Sequence, residues 1–375
     1  MFRAHADEGA DGVLRMRFDR FMGLALYNPA TGYYRGGRKR VGRGGGTDFF
    51  TASTSGPVFG ELVCAAAVKR LRENDARANP RDYVFVEIGA EPGGGVLAGV
   101  KHPFGGERTI RVGTAIMGNL ALRGKCVVFS NELFDAQPFR RFVFRGGAWR
   151  ELGVAMDGET EALRELGVAM DEEAGALREC EMPGSADPWH DIGTESPDWR
   201  GVAFPEGYHL DLPLEAVILA REIAAQPWHG LFLACDYGKS WRELIEATPA
   251  GTARAYFRHT QSNDLLANPG EQDLTCHICW DWLVDELRED GFVLPEPPEP
   301  PVASQESFFV HHAGDYLAKA FAGDAPLAAA AGTRKRALMQ LLHPAHMGQK
   351  FQVLHAVRGP EAGNRGPGTG NAISQ

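Results

Sequence analysis

Tyr83-Val84-Phe85-Val86-Glu87-Ile88, followed directly by Gly89-Ala90-Glu91-Pro92-Gly93-Gly94-Gly95, is the stretch whose reading decides the fold. The apolar run is short and lies between Pro80-Arg81-Asp82 and a glycine cluster, so it reads as a buried strand rather than a helix. Two later runs have the same character, Cys126-Val127-Val128-Phe129-Ser130 and Leu231-Phe232-Leu233-Ala234-Cys235. Helical patterns cover 59–71 and 214–225, and a shorter amphipathic one runs from Phe18 to Leu26 and ends near Asn28-Pro29. Strands alternating with helices predict an α/β fold on a parallel sheet covered on both faces.

The chain has 375 residues, 44% of them hydrophobic and 23% charged, enough to bury a core. Lys and Arg number 39 against 49 Asp and Glu, a net charge of −10 that argues against a nucleic-acid partner. No apolar run is long enough to span a bilayer, and the first residues lack the apolar core of a secretion signal, so a cytoplasmic protein with no membrane partner is expected. Six scattered cysteines do not make a disulfide framework.

Three regions are expected along the chain. Residues 1–60 carry the N-terminal helix and a Gly/Arg-rich segment over 36–46, either a basic lid over an anionic ligand or a plain solvated loop. Residues 61–358 form the main domain, with an insertion over about 145–205. Residues 359–375 are a polar, glycine-rich tail expected to be disordered. Within the insertion, RELGVAMDGETEAL (150–163) is followed by the near-duplicate RELGVAMDEEAGAL (164–177). Its glycines disfavour helix, so a duplication lengthening a surface hairpin or loop is the expectation. Pro-Glu-Pro-Pro-Glu-Pro-Pro at 295–301 reads as a stiff connector.

Two strand ends can carry chemistry. After the first strand, Glu87, Gly89, Ala90 and Gly93 stand where glycines let backbone N–H groups approach a nucleotide-like ligand, although a simple β-turn has the same composition. After the second, Ser130-Asn131-Glu132-Leu133-Phe134-Asp135 places a carboxamide and two acids where a parallel sheet opens its ligand crevice. That set suits an amine-bearing substrate; a helix cap with solvated acids is the simpler alternative. Asp236-Tyr237-Gly238 ends the third strand in the same topological place. Cys276-His277-Ile278-Cys279 has redox or zinc spacing but no second pair, and its apolar flanks favour packing. His311 and His312 could be ligands, but as neighbours on a strand they would point to opposite faces, so ordinary surface or core positions are expected.

Further segments complete a pattern: Arg17-Phe18-Asp19-Arg20-Phe21-Met22, Gly32-Tyr33-Tyr34, Asp48-Phe49-Phe50-Thr51-Ala52, Phe59-Gly60-Glu61, Arg254-Ala255-Tyr256 with His259, and Pro269-Gly270-Glu271 with Asp273-Leu274-Thr275. In this order, together with the three strand ends, they resemble the MidA-like family of class I S-adenosylmethionine (SAM)-dependent methyltransferases. Mitochondrial members of that family are protein arginine methyltransferases assisting respiratory complex I assembly. The resemblance covers roughly 17–350. It implies a Rossmann-like sheet with a helical N-terminal cap, SAM as cofactor, and a protein substrate or assembly partner. It places Glu87, Gly89, Ala90 and Gly93, with Asp48 and Thr51, on the cofactor. It places Asn131, Glu132 and Asp135 at the transferring methyl, the acids pairing with a guanidinium. It also returns Cys276 and Cys279 to packing positions.

The departures lie on the cofactor side. Acid and proline interrupt the glycines at Glu91-Pro92, and Pro92 removes a backbone donor. Only 44 positions separate Glu87 from Asn131. Two strands and about three helices would need on the order of 60–70 residues. The sheet is therefore expected to be truncated there, with one strand near Thr109–Val112. Gly113 follows it where a ribose-binding acid belongs, leaving Glu107 or Glu91 as substitutes. A working methyltransferase with an altered pocket, and a degenerate one serving as a binding or assembly factor, both fit this sequence.

Overall fold

The computed structural model describes residues 2–35, 52–90, 94–111, 120–156, 177–184, 188, 202–322 and 328–360. It is a mixed α/β protein with several sheets and, among the described residues, eight α-helices. The chain passes back and forth between two compact units. One comprises Phe50–Leu133, Ile218–Asp236 and Trp282–Gln375; the other, Met1–Phe49, Phe134–Val217 and Tyr237–Asp281.

The first unit contains the predicted parallel sheet. Its strands are β1 (Val84–Ala90), β2 (Gly106–Arg111), β3 (Gly124–Asn131), β4 (Trp228–Asp236), β5 (Val302–Ser304) and β6 (Gln352–Arg358). Their spatial order is β5-β6-β4-β3-β1-β2, with β2, β1, β3 and β4 parallel and β6 and β5 antiparallel at the edge. Phe85, Val86, Glu87 and Ile88 are consecutive and all buried, as a sheet covered on both sides requires. Between β1 and β3 the described residues contain one strand, β2, and no helix; residues 91–93 and 112–119 of that interval lie outside the described residues.

Aromatic side chains fasten helices to both faces. On one face Phe85 and Phe129 pack at 5.8 Å, and Phe59 of the helix Pro57–Asn74 meets Phe129 at 6.2 Å. That helix starts with Pro57 at its first position and turns Phe59, Leu62, Val63, Ala66 and Ala67 inward. On the other face Phe292 packs on Trp228 at 5.2 Å and on Phe232 at 6.4 Å. Arg358 of β6 closes the end of the helix Leu214–Ala225, donating to the carbonyls of Ala224 at 2.6 Å and Gln226 at 2.7 Å. Helix Gln305–His312 corrects the sequence reading of His311 and His312, which lie on that helix and not on a strand. There His312 is buried and His311 exposed.

The main sheet of the second unit is antiparallel. Leu14–Arg17, Ala148–Met156, Arg140–Arg145 and His209–Leu212 are neighbours in that order, with Asp7–Glu8 on one edge and Leu177–Glu181 on Ala148–Met156. The first copy of the duplication begins in Ala148–Met156, which pairs back onto Leu177–Glu181 with Met156 opposite Leu177. The described start of the first copy is thus one arm of an antiparallel pair; residues 157–176 lie outside the described residues, as do the Gly/Arg segment 36–46 and residues 361–375. Asp211 ties the unit together: it accepts from Arg141 at 2.8 Å and from the backbone N–H groups of Thr252 at 2.7 Å and Ala253 at 2.9 Å. Cys276 and Cys279 are buried and not in a disulfide, in packing positions as expected.

Candidate functional site

The parallel register builds the site. Ile88 stands opposite Ser130, and Asn131 opposite Cys235, so β1, β3 and β4 finish along one edge of the sheet. Neighbouring strands are about 4.8 Å apart. Gly89-Ala90, Asn131-Glu132 and Asp236 therefore share the carboxyl edge, where α/β sheets bind ligands.

Backbone geometry at this edge is unusual. Glu132 has φ +52°, a left-handed conformation that costs a residue with a side chain about 1–2 kcal/mol. Two hydrogen bonds hold it: the Glu132 N–H donates to the Cys235 carbonyl at 2.9 Å, and the Leu133 N–H donates to the buried Asp236 carboxylate at 3.2 Å. Gly89, on the neighbouring tip, has φ +89°, and a Cβ there would stand 3.0 Å from Leu133 Cδ1. Glycine is required at that position both for its dihedral and for its lack of a side chain.

The polar groups are partly unsatisfied. Asn131 Nδ2 donates to Glu132 Oε1 at 2.8 Å, and since an ionised carboxylate only accepts, this bond fixes the amide orientation. Asn131 Oδ1 is left buried with no hydrogen-bond donor among the described residues, and so is the Ser130 hydroxyl beside it. Buried polar atoms are seldom left so. Glu87 is buried at 7% exposure and accepts the Val96 N–H at 2.5 Å. Desolvation pushes its carboxyl up to about 7, opposed by the Val96 hydrogen bond and reinforced weakly by the negative charge of Glu107. The bond to Val96 also fixes the turn after the glycine cluster, because a Cβ on Gly95 would strike the same carboxylate.

Of the residues expected at the site, Glu87, Gly89, Ala90, Asn131 and Glu132 lie at these adjacent tips. Gly93, Asp48 and Thr51 lie outside the described residues. Asp135 belongs to the antiparallel unit, where it is 4% exposed and its carbonyl accepts the Cys276 N–H at 2.9 Å. Glu107 is the second residue of β2, opposite Phe85, and so sits toward the amino end of the sheet, away from the tips. It does not replace the ribose acid there; Glu91 and Gly113 lie outside the described residues. The sequence reading noted Asp236 only as a strand terminus. Its role in holding the Leu133 backbone is signalled by one thing alone, an acid directly after an apolar run.

Comparison with known proteins agrees with this architecture. Residues 115–297 match the profile of a family described as "Putative S-adenosyl-L-methionine-dependent methyltransferase". No curated protein matches the chain. Among solved structures, a COG1565 superfamily member from Burkholderia thailandensis, described as a "likely methyl transferase" and bound to S-adenosyl-homocysteine, superposes with a TM-score of 0.74 at 24% identity. The alignment covers 94% of this chain and 91% of that one. An uncharacterised COG1565 protein of the same organism gives a TM-score of 0.69 at 22% identity over the same shares. The fold is that of these proteins, and the methyltransferase resemblance read from the sequence is borne out.

Proposed function

We propose that this chain, which matches a SAM-dependent methyltransferase family over residues 115–297, binds SAM at the tips of β1 and β3 and methylates a protein nitrogen of the arginine type. One observation carries the reading: the carboxyl edge holds a buried acceptor, Asn131 Oδ1, with no donor among the described residues, beside a carboxylate presented from a strained backbone, Glu132. Structural strain and unsatisfied polar atoms persist where a ligand makes use of them.

The residues fit such a cofactor. Its ammonium group is a donor of the kind Asn131 Oδ1 lacks, and the Gly89 tip presents backbone without a side chain. Glu87 is a carboxyl at the balance point between its two forms, which a cationic ligand would draw to the ionised one. Bound there, SAM would supply an electrophilic methyl on a sulfonium centre. Glu132 would pair with the acceptor guanidinium and hold it in line, a contribution of proximity and charge placement rather than proton transfer. Asp135 is the second acid expected in acceptor binding, and Asp135→Asn tests it separately.

Calorimetric titration with SAM tests the reading. Dissociation in the micromolar range is expected. Binding weaker than millimolar would leave the alternative of a degenerate methyltransferase acting as a binding or assembly factor. Where SAM binds, labelled-methyl transfer to proteins of a cell extract should disappear in Glu132→Gln while SAM affinity stays within about threefold, an energy difference under 1 kcal/mol.

A further inference from the structure

A second cluster lies in the same unit, away from the strand tips. His355 is the middle residue of β6 and has no exposed surface; His312 ends the helix Gln305–His312 with 2% exposure. Both rings face Glu299, which sits in the proline-rich connector 295–301 that the methyltransferase reading leaves unexplained. Glu299 Oε1 is 2.7 Å from His312 Nε2 and 3.3 Å from His355 Nε2, and the three possible ligand atoms all lie within 4.8 Å of one another. His355 makes no hydrogen bond through either ring nitrogen among the described residues, and His312 makes none through Nδ1. A fully buried imidazole with both nitrogens unsatisfied is an anomaly if the cluster is only packing.

We propose that Glu299, His312 and His355 form a binding site for a divalent transition-metal ion of the zinc type. Two imidazoles and a carboxylate are a borderline-soft donor set that suits Zn2+ and leaves a fourth position for water. Ligand atoms held around Zn2+ at about 2.0–2.1 Å stand roughly 3.3 Å from one another. The His355–Glu299 separation already has that value, and the His312–Glu299 pair needs to open by about half an ångström.

The surroundings supply the remaining parts of such a site. Glu73 Oε2 stands 3.5 Å from His312 Nδ1, the arrangement in which an outer carboxylate fixes a ligating ring through its second nitrogen. Arg70 donates to the same Glu73 oxygen at 2.8 Å, so the nearest cation is compensated by that carboxylate. A hollow of about 380 Å³, lined in part by Lys69, Glu73, His312 and Tyr316, gives a path from solvent to His312. His311 could offer a competing set with Glu73 and His312, but His311 and Glu73 are both solvent-exposed.

The test is metal binding by the full chain after chelator treatment and dialysis. Titration with Zn2+ against a fluorescent chelator should give one ion per chain, with affinity falling at least about a hundredfold in His355→Gln and in Glu299→Gln. Glu299 is on a connector and 29% exposed, so its variant should fold even where the His355 variant does not. Zn2+ should raise the thermal midpoint of the wild type but not of Glu299→Gln. Co2+ should give visible bands without a thiolate charge-transfer band. Retention of wild-type affinity in Glu299→Gln, loss of it in His311→Ala, or a thiolate band would each overturn the proposal, as would no binding below about 0.1 mM.

Discussion

Two buried carboxylates, one in each unit, are treated in opposite ways. Asp211, 1% exposed, is saturated: Arg141 donates to one oxygen and two backbone N–H groups donate to the other. Glu87, 7% exposed, has one backbone donor from Val96, and burial pushes its carboxyl up to about 7. A saturated buried charge is structure, whereas a buried carboxyl pushed up in pKa at a strand tip is a group that a bound cation would ionise. The contrast predicts which substitutions cost stability and which change only ligand binding.

The largest effect should be that of Asp211→Asn. An amide has one acceptor and one donor end, so either Arg141 or the Thr252 and Ala253 N–H groups must face an NH2 group. Breaking a buried pair in this way costs about 3–5 kcal/mol, measurable as a lower urea midpoint at pH 7. A loss under about 1 kcal/mol would mean that Asp211 is not the hub its bonds describe.

Glu87→Gln should behave differently. The folded carboxyl titrates near 7 and the unfolded one near 4.5, so between these values the folded state holds more protons. Stability from this group is therefore full below pH 4.5 and lost as pH rises to 7, by roughly 3 kcal/mol in total. Glutamine keeps the acceptor for Val96 and removes this titration, so the variant should lose the part of the pH slope that Glu87 supplies and be more stable than the wild type at pH 8. SAM titration of the same variant would then show whether Glu87 serves the ligand. Gly89→Ala comes next, because it forces a side chain into φ +89° and against Leu133 Cδ1. The expected loss is about 1–2 kcal/mol in equilibrium unfolding, and a neutral result would remove the argument for close backbone approach at that tip.

Much of this contrast was legible in the sequence, unevenly. The β1, β3 and β4 runs and the helix over 214–225 stood out because a sheet buried on both faces needs uninterrupted apolar residues. The one strand described between β1 and β3, Gly106–Arg111, was legible as the strand expected near Thr109–Val112. The Glu299, His312 and His355 cluster was not, because its members come from a connector, a helix and an inner strand that meet only in the fold. Nor could pattern reading tell that His312 ends a helix, for Phe308-Phe309-Val310-His311-His312 is as apolar and β-branched as a strand. Neither the saturation of Asp211 nor the upward pKa shift of Glu87 has a local signature; both depend on groups that the fold brings from elsewhere.

The smallest effect sharpens the comparison most. Positive φ occurs at non-glycine residues in both units: Arg258 and His259 have φ +49° and +63°, and Glu132 has φ +52°. Arg258 and His259 form the two-residue connection between Arg254–Phe257 and Thr260–Ser262, a hairpin whose twist demands that conformation. Nothing local demands it of Glu132, which is held by Cys235 and Asp236 from the neighbouring strand. Glycine at either place should relieve strain, by about 1 kcal/mol at most, less for Glu132 because its bond to Asn131 is lost. His259→Gly should therefore gain stability and keep whatever methyl transfer the wild type shows. Glu132→Gly should gain as much or less and lose transfer altogether, which separates strain that a turn requires from strain that a site retains. If both variants transfer equally well, the left-handed Glu132 is only a turn, and the carboxyl edge of the sheet loses its principal claim to chemistry.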